Sequence, residues 1–532
     1  MTKKVITSVL VVIILLGAIL RFYNLGSVAL GFFRDEAALG FNTWSILKTG
    51  ADEYGQRLPI IFRSFEVFFM PAYVYFSLPF FFVLGQTVFA TRALAATSGV
   101  LLILFTYLIA KEFFKKEKLA LVAAFLVSIS PWAIFYSRGA FEGNLALLFF
   151  SIGVYFWLKF MGANKSNPLR GKKFFFVSIL GFIASMYSYQ APRFVAPLFI
   201  GFSILSQKGW WKNWRLWLAG AIFALALYLP ILTITSSPAG YHRAIGVSVF
   251  SGSGAATTPK ELLSLYFQYF SPANLFSQND YDPQRRVEGY SVFYLWMLPF
   301  FLVGIWKFVK EKFKGSKYFL IWLFLAPIPA SLTRDPFHTY RSLLVFLPLT
   351  LVIALGLDHV LENWKKAKKI LVLGFCILIF YSVSAYFFAL FKIAPVVNGQ
   401  DWDYGYNQVT EFIKSQPQDL RVVIDDPNTD SYIHILFNGG LPIREYQKVA
   451  SEKLGDRYYT TPDRLRPEKV GRFEFRKVNW PSERGEVNTL FIFPSNRLPP
   501  SEFATDPKLR LEKTIYLPSG EPAFYIIRRT EL

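Results

Sequence analysis

Two adjacent carboxylates and an arginine follow closely behind the first apolar run of the chain, in the segment Phe32-Phe33-Arg34-Asp35-Glu36-Ala37. Adjacent acids repel each other, and aromatic neighbours favour the desolvation of one of them. A carboxylate in this position can therefore act as a general base or help to hold a divalent cation. An isolated Asp-Glu pair is also common in solvated loops, so its interpretation depends on the elements that position it.

The composition is that of a polytopic membrane protein. Of the 532 residues, 53% are hydrophobic and 18% aromatic, whereas only 17% are charged, which is far from an average soluble chain. The formal net charge of +21 comes from Lys and Arg clusters between apolar runs, where such clusters set topology and contact membrane lipids. Nucleic acid is therefore excluded as a partner. The single cysteine, Cys376, excludes an intrachain disulfide.

Eleven apolar segments are predicted to span the membrane. They are residues 5–20, 89–110, 119–136, 143–160, 173–187, 193–206, 214–233, 291–308, 317–333, 341–357 and 370–392. The first is interpreted as a transmembrane helix because no small-x-small cleavage site follows it. The short loops rich in Lys and Arg predict, by the positive-inside rule, a cytoplasmic N-terminus and an extracytoplasmic C-terminus in the plasma membrane.

Two further segments are predicted to lie at the outer interface. Residues 67–84 contain Pro71 and Pro79, which should break the segment into pieces too short to span. Counting it as a span would also place the basic loop 111–118 on the wrong side, although an ordinary twelfth span stays an alternative. Residues 37–48 predict an amphipathic helix lying along the membrane surface.

The composition changes near residue 394, where long apolar runs give way to shorter ones with more charge and proline. Residues 1–394 are predicted to form a transmembrane helix bundle, and residues 395–532 a small extracytoplasmic α/β domain. Strands are expected at 421–425, 489–493 and 523–527, and short helices at 409–415 and 432–437. The predicted fold class is therefore mostly α, with an α/β domain at the C-terminus.

Charged residues gather at the predicted outer ends of the spans rather than at their middles, where ion-coupled transporters place them. The candidates for binding a substrate or a donor phosphate are Arg138, Glu142, Tyr189, Arg193, His338 and Arg341. The guanidinium fork binds phosphate oxygens bidentately, so these arginines point to a phospholipid-like ligand. Taken singly, each arginine could equally be a headgroup anchor, and Tyr189 could belong to an aromatic belt. Arg193 and Arg341 are expected to approach each other near Asp35.

The order of these features resembles the GT-C class of membrane glycosyltransferases, in particular the family 39-like branch that includes protein O-mannosyltransferases and the aminoarabinose transferases of lipid A. The resemblance covers Arg21 to about Asp358. It is carried by Arg34-Asp35-Glu36 with Ala37 and Gly40, Pro71, Tyr73, Gly85, Arg92, Ser130-Pro131, Tyr136-Ser137-Arg138, Glu142, Tyr189-Gln190-Ala191-Pro192-Arg193, Tyr269-Phe270-Ser271-Pro272, Leu275-Phe276 and Pro336-Phe337-His338-Thr339-Tyr340-Arg341.

The resemblance implies an inverting glycosyltransferase that moves a hexosyl or pentosyl group from a polyprenyl-phosphate donor to an acceptor protein, lipid or glycan on the outer face. Asp35 would be the catalytic residue, with Glu36 as the second member of the pair. The donor phosphate would meet Arg138, Arg193 or Arg341. No cofactor is certain, and a divalent cation at Asp35 and Glu36 is left open. The alternatives are a lipid-linked glycan flippase or transporter and a noncatalytic membrane scaffold.

Overall fold

The computed structural model describes residues 2–27, 30–65, 67–163, 168–237, 246–251, 258–311, 313, 315–363, 369–461 and 465–529. Its longer helices are Lys3–Phe22, Arg34–Thr49, Pro71–Leu84, Val88–Phe114, Glu117–Ile129, Pro131–Arg138, Glu142–Ala163, Pro168–Ser188, Pro192–Leu205, Trp214–Thr235, Pro259–Phe267, Leu298–Lys310, Ser316–Leu325, Phe346–Asn363, Lys369–Phe388, Tyr406–Lys414 and Ile443–Leu454. Shorter helices are Pro272–Phe276, Ile328–Ser331, Ala394–Asn398, Tyr432–Phe437 and Trp480–Glu483. The fold is mostly α, as predicted.

The expected number of eleven membrane spans is too high. Within the described part of the chain, six helices are long and apolar enough to cross a membrane, or seven if one bent pair counts as a single span. Of the other four predicted segments, three form helices of 14, 13 and 10 residues, which at 1.5 Å per residue extend roughly 15–21 Å, short of a core about 30 Å thick. The fourth, Pro168–Ser188, is long enough, but the lysines near its start lower its apolar character.

The bent pair joins Glu117–Ile129 to Pro131–Arg138 with a bend of 53°. Pro131 starts the second helix, and Ser130 before it is extended, with φ −63° and ψ 132°. A residue that precedes proline is disfavoured in the helical region, so the bend has a local cause. After the bend, the second helix continues to Arg138.

The prediction that prolines break the segment 67–84 is wrong. Val67–Phe69 forms strand β2, which pairs with strand β1 at Phe62–Ser64. One continuous helix, Pro71–Leu84, follows. Pro71 occupies its first turn, where the missing N–H removes no hydrogen bond, and Pro79 is accommodated inside it. At 14 residues this helix is shorter than a membrane span, so its position at the outer interface stays a prediction.

The helix predicted at 37–48 is present as Arg34–Thr49, but it does not lie exposed along a surface. Ala37, Ala38, Leu39 and Phe41 are all buried, and the helix packs against both Val88–Phe114 and Tyr432–Phe437. Its polar side is therefore covered by the C-terminal part of the chain. The sequence pattern showed one apolar face, and could not show that a distant helix covers the other.

The C-terminal part contains a six-stranded sheet with the order β4-β5-β3-β6-β8-β7. The strands are β3 at Arg421–Asp425, β4 at Lys469–Val470, β5 at Phe473–Arg476, β6 at Thr489–Pro494, β7 at Leu509–Tyr516 and β8 at Pro522–Arg529. Strand β3 is central and runs parallel to both β5 and β6, whereas β7 and β8 pair antiparallel. The three predicted strands and both predicted helices are confirmed.

Candidate active site

A cavity of about 200 Å³ gathers residues from seven separate parts of the sequence. It is lined by Phe33, Asp35, Glu36, Leu39, Phe69, Ala140, Phe141, Glu142, Tyr189, Asp282, Gln284, Arg285, His338, Tyr340, Arg341 and Trp402. Six of the eight predicted site residues are among them, namely Asp35, Glu36, Glu142, Tyr189, His338 and Arg341. Their sequence separations reach about three hundred residues, so only the fold brings them together.

Asp35 lies in the first turn of the helix Arg34–Thr49. Unpaired backbone N–H groups at a helix start favour negative charge, so this position stabilises an ionised carboxylate. The carboxylate of Asp403 accepts a hydrogen bond from the Arg34 backbone N–H at 3.0 Å and others from its guanidinium. The turn that carries Asp35 is thus anchored by the C-terminal part of the chain.

Glu36 is buried and fully engaged. The Arg92 guanidinium donates to both of its carboxylate oxygens, from Nε at 2.8 Å and from Nη2 at 2.7 Å. The backbone N–H of Ala140 donates to Oε1 at 2.8 Å, and that of Phe33 to Oε2 at 3.4 Å. A carboxylate with one bidentate arginine partner and two backbone donors is held in place, so Glu36 fixes the orientation of the turn on which Asp35 stands.

Arg92 joins this turn to the loop that precedes it. Besides binding Glu36, its guanidinium donates to the carbonyls of Ser27 at 2.8 Å and Gly31 at 3.1 Å. A buried ion pair holds its geometry when its remaining protons are also satisfied. Sequence reasoning included Arg92 in the family resemblance without giving it a role, and its one available signal was a charged residue inside an otherwise apolar helix.

Arg341 and His338 line the same cavity as Asp35. The Arg341 guanidinium donates to Asp335 at 3.3 Å, and its backbone N–H donates to His338 Nδ1 at 3.3 Å. The His338 Nε2 lies 2.9 Å from Arg285, so the imidazole is held between Arg285 and the Arg341 backbone. Aspartates balance the two arginines, since Arg285 pairs with Asp280 and Arg341 with Asp335.

Glu142 and Tyr189 complete the cavity through a shared neighbour, Tyr340. The Tyr340 hydroxyl lies 3.4 Å from Glu142 Oε2 and accepts a bond from the Gly143 N–H at 3.0 Å. The ring of Tyr340 packs on that of Tyr189, with 4.8 Å between the ring centroids. Burial and the nearby Glu142 carboxylate raise the pKa of Tyr340 well above its usual value, so this hydroxyl stays protonated as a donor.

Arg285 was not predicted, and it contributes directly to the cavity. Asp280 binds it with two hydrogen bonds of 3.1 Å and also accepts from the backbone and hydroxyl of Thr339. Asp282 caps a short turn, because its carboxylate accepts from the Gln284 N–H at 2.9 Å, whereas Asp280 holds two loops of the site together.

Trp402 was also missed, because it lies in the part of the chain assigned to a separate domain. Its ring packs edge-on against Phe33 and Phe141, with centroid distances of 6.2 and 6.3 Å. Gly31 makes this contact feasible, since a Cβ atom there would lie 2.2 Å from the Trp402 carbonyl oxygen. Apart from a tryptophan beside two aspartates, the sequence offered no signal of this role.

Arg138 lies next to the cavity but does not line it. Its guanidinium donates to the carbonyls of Leu20 and Arg21, both at 3.1 Å, which are unpaired acceptors at the end of the first helix. It also lies over the Phe391 ring, 4.9 Å from the centroid. A smaller cavity of about 50 Å³ borders it. These contacts stabilise the end of the first helix.

Arg193 does not line the cavity either. Of the two arginines expected to approach each other near Asp35, Arg341 lines the cavity and Arg193 does not. The Arg193 guanidinium contacts the sulfur of Met70, whose neighbour Phe69 does line the cavity. Its Nε is buried with no hydrogen-bond partner among the described residues. The expected approach of Arg193 to Arg341 stays a prediction.

No group of three or more His, Cys, Asp or Glu side chains suited to a metal ion occurs in the parts of the chain that the structure describes. Both oxygens of Glu36 already accept hydrogen bonds from Arg92. Coordination of a cation at the predicted pair would therefore depend mainly on Asp35.

Residues 70–234 match the family described as dolichyl-phosphate-mannose-protein mannosyltransferase. No curated protein matches the chain. The matched region starts just after strand β2 and ends with the helix Trp214–Thr235, so it contains Arg92, Glu142 and Tyr189 but not Asp35.

Several solved structures are similar to most or nearly all of the chain. ArnT from Cupriavidus metallidurans in the apo state is 11% identical with a TM-score of 0.59, and 98% of each chain is covered. The same protein bound to undecaprenyl phosphate is 10% identical with a TM-score of 0.59, at 97% coverage of each chain. The apo oligosaccharyltransferase of Archaeoglobus fulgidus is 15% identical with a TM-score of 0.50; the match covers 82% of this chain and 64% of the larger protein.

These similarities define the fold. The chain has the fold of ArnT from Cupriavidus metallidurans, which confirms at the level of fold the resemblance drawn from the sequence. The match to ArnT extends through the C-terminal part, so the α/β region belongs to the shared architecture.

Proposed function

We propose that this protein is an integral membrane glycosyltransferase. It transfers one sugar from a polyprenyl-phosphate-linked donor to an acceptor protein, lipid or glycan on the outer face of the plasma membrane. The observation that carries the proposal is the cavity that Asp35, Arg341 and His338 line together within a GT-C fold. A polar cavity beside apolar helices suits a donor with a charged head and a lipid tail, and undecaprenyl phosphate is bound in the structure of ArnT.

In this proposal Asp35 is the general base. The acceptor hydroxyl attacks the anomeric carbon of the donor, and its proton passes to the Asp35 carboxylate. The bond between the anomeric carbon and the phosphate oxygen breaks with its electron pair, which leaves polyprenyl phosphate. Attack from the face opposite the departing phosphate inverts the anomeric centre. The helix start beneath Asp35 keeps the carboxylate ionised before the reaction.

Arg341 is proposed to receive the departing phosphate. The phosphate gains negative charge as the bond breaks, and a preorganised guanidinium stabilises that charge in a site that excludes water. Arg193 is proposed as a second ligand, because its buried Nε lacks a hydrogen-bond partner among the described residues and a phosphate oxygen would supply one. Arg138 stays a weaker candidate, since two backbone carbonyls already accept from it.

The remaining site residues are proposed to shape the cavity around the sugar. Glu142 and Tyr189 flank Tyr340, and a ring beside a carboxylate can pack on one face of a sugar and accept from its hydroxyls. His338 positions Arg285 and Arg341. Asp35 is the proposed ligand of a divalent cation, should the reaction use one, and activity measured with and without EDTA tests this.

The direct test is transfer by the purified protein. A labelled polyprenyl-phosphate sugar should yield free polyprenyl phosphate, and the Asp35→Asn variant should lose about 10²–10⁴-fold in turnover, the usual contribution of a general base. The matched control is Asp419→Asn, which changes an exposed aspartate that does not line the cavity and should retain wild-type turnover. Near-normal release by Asp35→Asn would refute the assignment, and export of intact donor without release would favour a transporter.

A further inference from the structure

A second cavity, of about 300 Å³, lies in the C-terminal part of the chain. It opens where strands β3 and β6 end, and it is bordered by Asp425 at the end of β3, by Asp426 after it, and by Asn496 and Arg497 after β6. These two strands are parallel neighbours. The carboxyl ends of adjacent parallel strands are the usual place for ligands in open α/β sheets, and the volume is at the lower end of the range of about 300–1,000 Å³ for small-molecule sites.

The lining mixes hydrogen-bond donors and acceptors at close range. Arg34 binds Asp403 at 2.9 Å and Asp430 at 3.0 Å, and Arg497 binds Asp425 at 2.9 Å. An anionic ligand would face these carboxylates, and a cation would face the arginines. Hydroxyl groups both donate and accept, so a neutral molecule with several hydroxyls fits this lining best.

Two buried polar groups that line this cavity have no hydrogen-bond partner within the described residues: the Ser431 hydroxyl and Nε2 of His434. Each residue is 2% exposed. The His434 Nε2 is 3.6 Å from Asp403 Oδ2, which is beyond hydrogen-bond distance. Buried polar groups are nearly always paired, and leaving one unpaired is unfavourable. Both residues line this cavity, so a ligand here is the candidate partner for both groups.

One wall of the cavity is aromatic. The Tyr406 ring stacks on the His434 imidazole, with 4.4 Å between the centroids and 5° between the planes, and meets Phe524 edge-on at 4.8 Å. Small-molecule sites combine such apolar surface with a few placed polar groups. A sugar ring presents C–H groups on a face and hydroxyls around its edge, and so matches both parts of the lining.

We propose that this cavity binds a saccharide, and that the saccharide is part of the acceptor. The second half of the statement rests on the proposed function. Arg34 lines this cavity while its neighbour Asp35 lines the active site. Likewise, Asp403 lines this cavity while Trp402 lines the active site. At two places in the chain, therefore, consecutive residues line the two cavities. An acceptor glycan held here would lie beside the proposed site of transfer.

The experiment measures binding without turnover. The full-length Asp35→Asn protein is prepared in a detergent without a sugar headgroup. It is titrated with methyl glycosides of glucose, galactose, mannose, arabinose and N-acetylglucosamine up to millimolar concentrations, by saturation-transfer NMR. At least one glycoside should bind saturably. Ser431→Ala should weaken that glycoside about threefold to tenfold, the equivalent of one hydrogen bond, without lowering the melting temperature, because the hydroxyl it removes is unpaired in the empty protein.

Two further variants sharpen the result. Asn496→Trp changes an exposed residue at the cavity and should abolish binding by filling it. Ser415→Ala, which removes an exposed hydroxyl from the end of another helix, is the control and should bind like the parent. Absence of binding by every glycoside, binding unaffected by both cavity variants, or binding of only Mg²⁺ or inorganic phosphate would overturn the proposal. If glycosides bind but the wild-type protein releases no polyprenyl phosphate, the saccharide site stands and its role as an acceptor site falls.

Discussion

Asp35 and Glu36 are neighbours in sequence, yet their surroundings differ sharply. Asp35 lines the cavity at the start of a helix, whereas Glu36 is 3% exposed and paired with Arg92. Replacing Glu36 with Gln should leave the Arg92 charge buried and unpaired, which typically costs about 3–5 kcal/mol. We therefore expect Glu36→Gln to lower both the melting temperature and the turnover.

The comparison with Asp35→Asn separates the two roles. That variant should lose turnover while its melting temperature stays within a few degrees of wild type. Thermal unfolding in detergent and release of polyprenyl phosphate, measured on the same preparations, provide both readouts. Equal thermal stability of Glu36→Gln and wild type would show that the carboxylate does not hold the turn as described.

The arginines proposed for the donor phosphate make a second prediction at this scale. Arg341→Ala and Arg193→Ala should each weaken the apparent affinity for the donor about tenfold or more, because charge-assisted bonds contribute about 1.5–3 kcal/mol. The corresponding lysine variants should recover part of the loss, since lysine keeps the charge but lacks the planar fork. Donor titration checks this, and unchanged affinity in both alanine variants would reduce the two arginines to structural anchors.

At the scale of elements, the loop before the helix Arg34–Thr49 determines where the turn that carries Asp35 lies. Gly31 has φ of +131°, and a Cβ atom there would lie 2.2 Å from the Trp402 carbonyl oxygen. Gly31→Ala must therefore push the loop away from Trp402, because the obstacle is backbone. We expect at least a tenfold loss of turnover, consistent with the sensitivity of catalysis to displacements of about 1 Å.

Gly50, at the other end of the same helix, is the matched control. Its φ is +73°, but an added Cβ atom would meet nothing within 4 Å. Gly50→Ala should therefore cost roughly 1–2 kcal/mol of stability from the left-handed conformation alone and leave turnover near wild type. Equal losses of turnover in the two variants would show that general strain, rather than contact with Trp402, explains the effect.

At the scale of the whole molecule, a buried acidic pair joins the N-terminal loops to the C-terminal part. Asp52 accepts from the Tyr458 hydroxyl, and Glu53 accepts from the Tyr432 hydroxyl at 2.6 Å. Burial raises the pKa of both carboxyls to about 7, although the tyrosine hydrogen bonds oppose the shift. Arg63 and Arg466 are the basic groups nearby.

Because the pKa values of Asp52 and Glu53 are higher in the folded than in the unfolded state, the folded protein binds more protons between about pH 4 and 7. Their contribution to the free energy of unfolding is complete below this window and is lost as the pH rises to about 7. The double variant Asp52→Asn, Glu53→Gln should thus gain stability relative to wild type between pH 5 and 8. Chemical unfolding across this range is the measurement, with Asp419→Asn as the control, and a constant difference would contradict the prediction.

Orientation is a second prediction for the whole molecule. The basic loops predict a cytoplasmic N-terminus and a C-terminal part outside, and the cavity draws on loops that this predicted topology assigns to the outer side. Protease added to intact spheroplasts should therefore cleave within the exposed segment near residues 484–488, while a tag at the N-terminus stays protected. Cleavage of the C-terminal part only after lysis would reverse the orientation.

Local patterns in the sequence determined a large share of this description. The length of the apolar runs located the helices of the bundle, and alternation with β-branched runs located β3, β6 and β8. Charged and aromatic residues near the predicted ends of the spans gave the site candidates Asp35, Glu36, Glu142, Tyr189, His338 and Arg341. All six line one cavity. These features depend on neighbours within a few residues, or on the membrane as a solvent, and so they are readable without a fold.

The tertiary structure alone decided which distant residues meet. It showed that Arg92 binds Glu36. It also showed that Asp403 and Trp402 contact the turn that carries Asp35, although they lie more than 360 residues away in sequence. The polar side of the helix Arg34–Thr49 is covered as well. In the described part of the chain, the number of candidate spans fell from the eleven predicted to six or seven. The apolar composition of a segment does not show at which residue its helix ends. Such contacts follow from how whole elements pack, and no local pattern records the partner that an element will find.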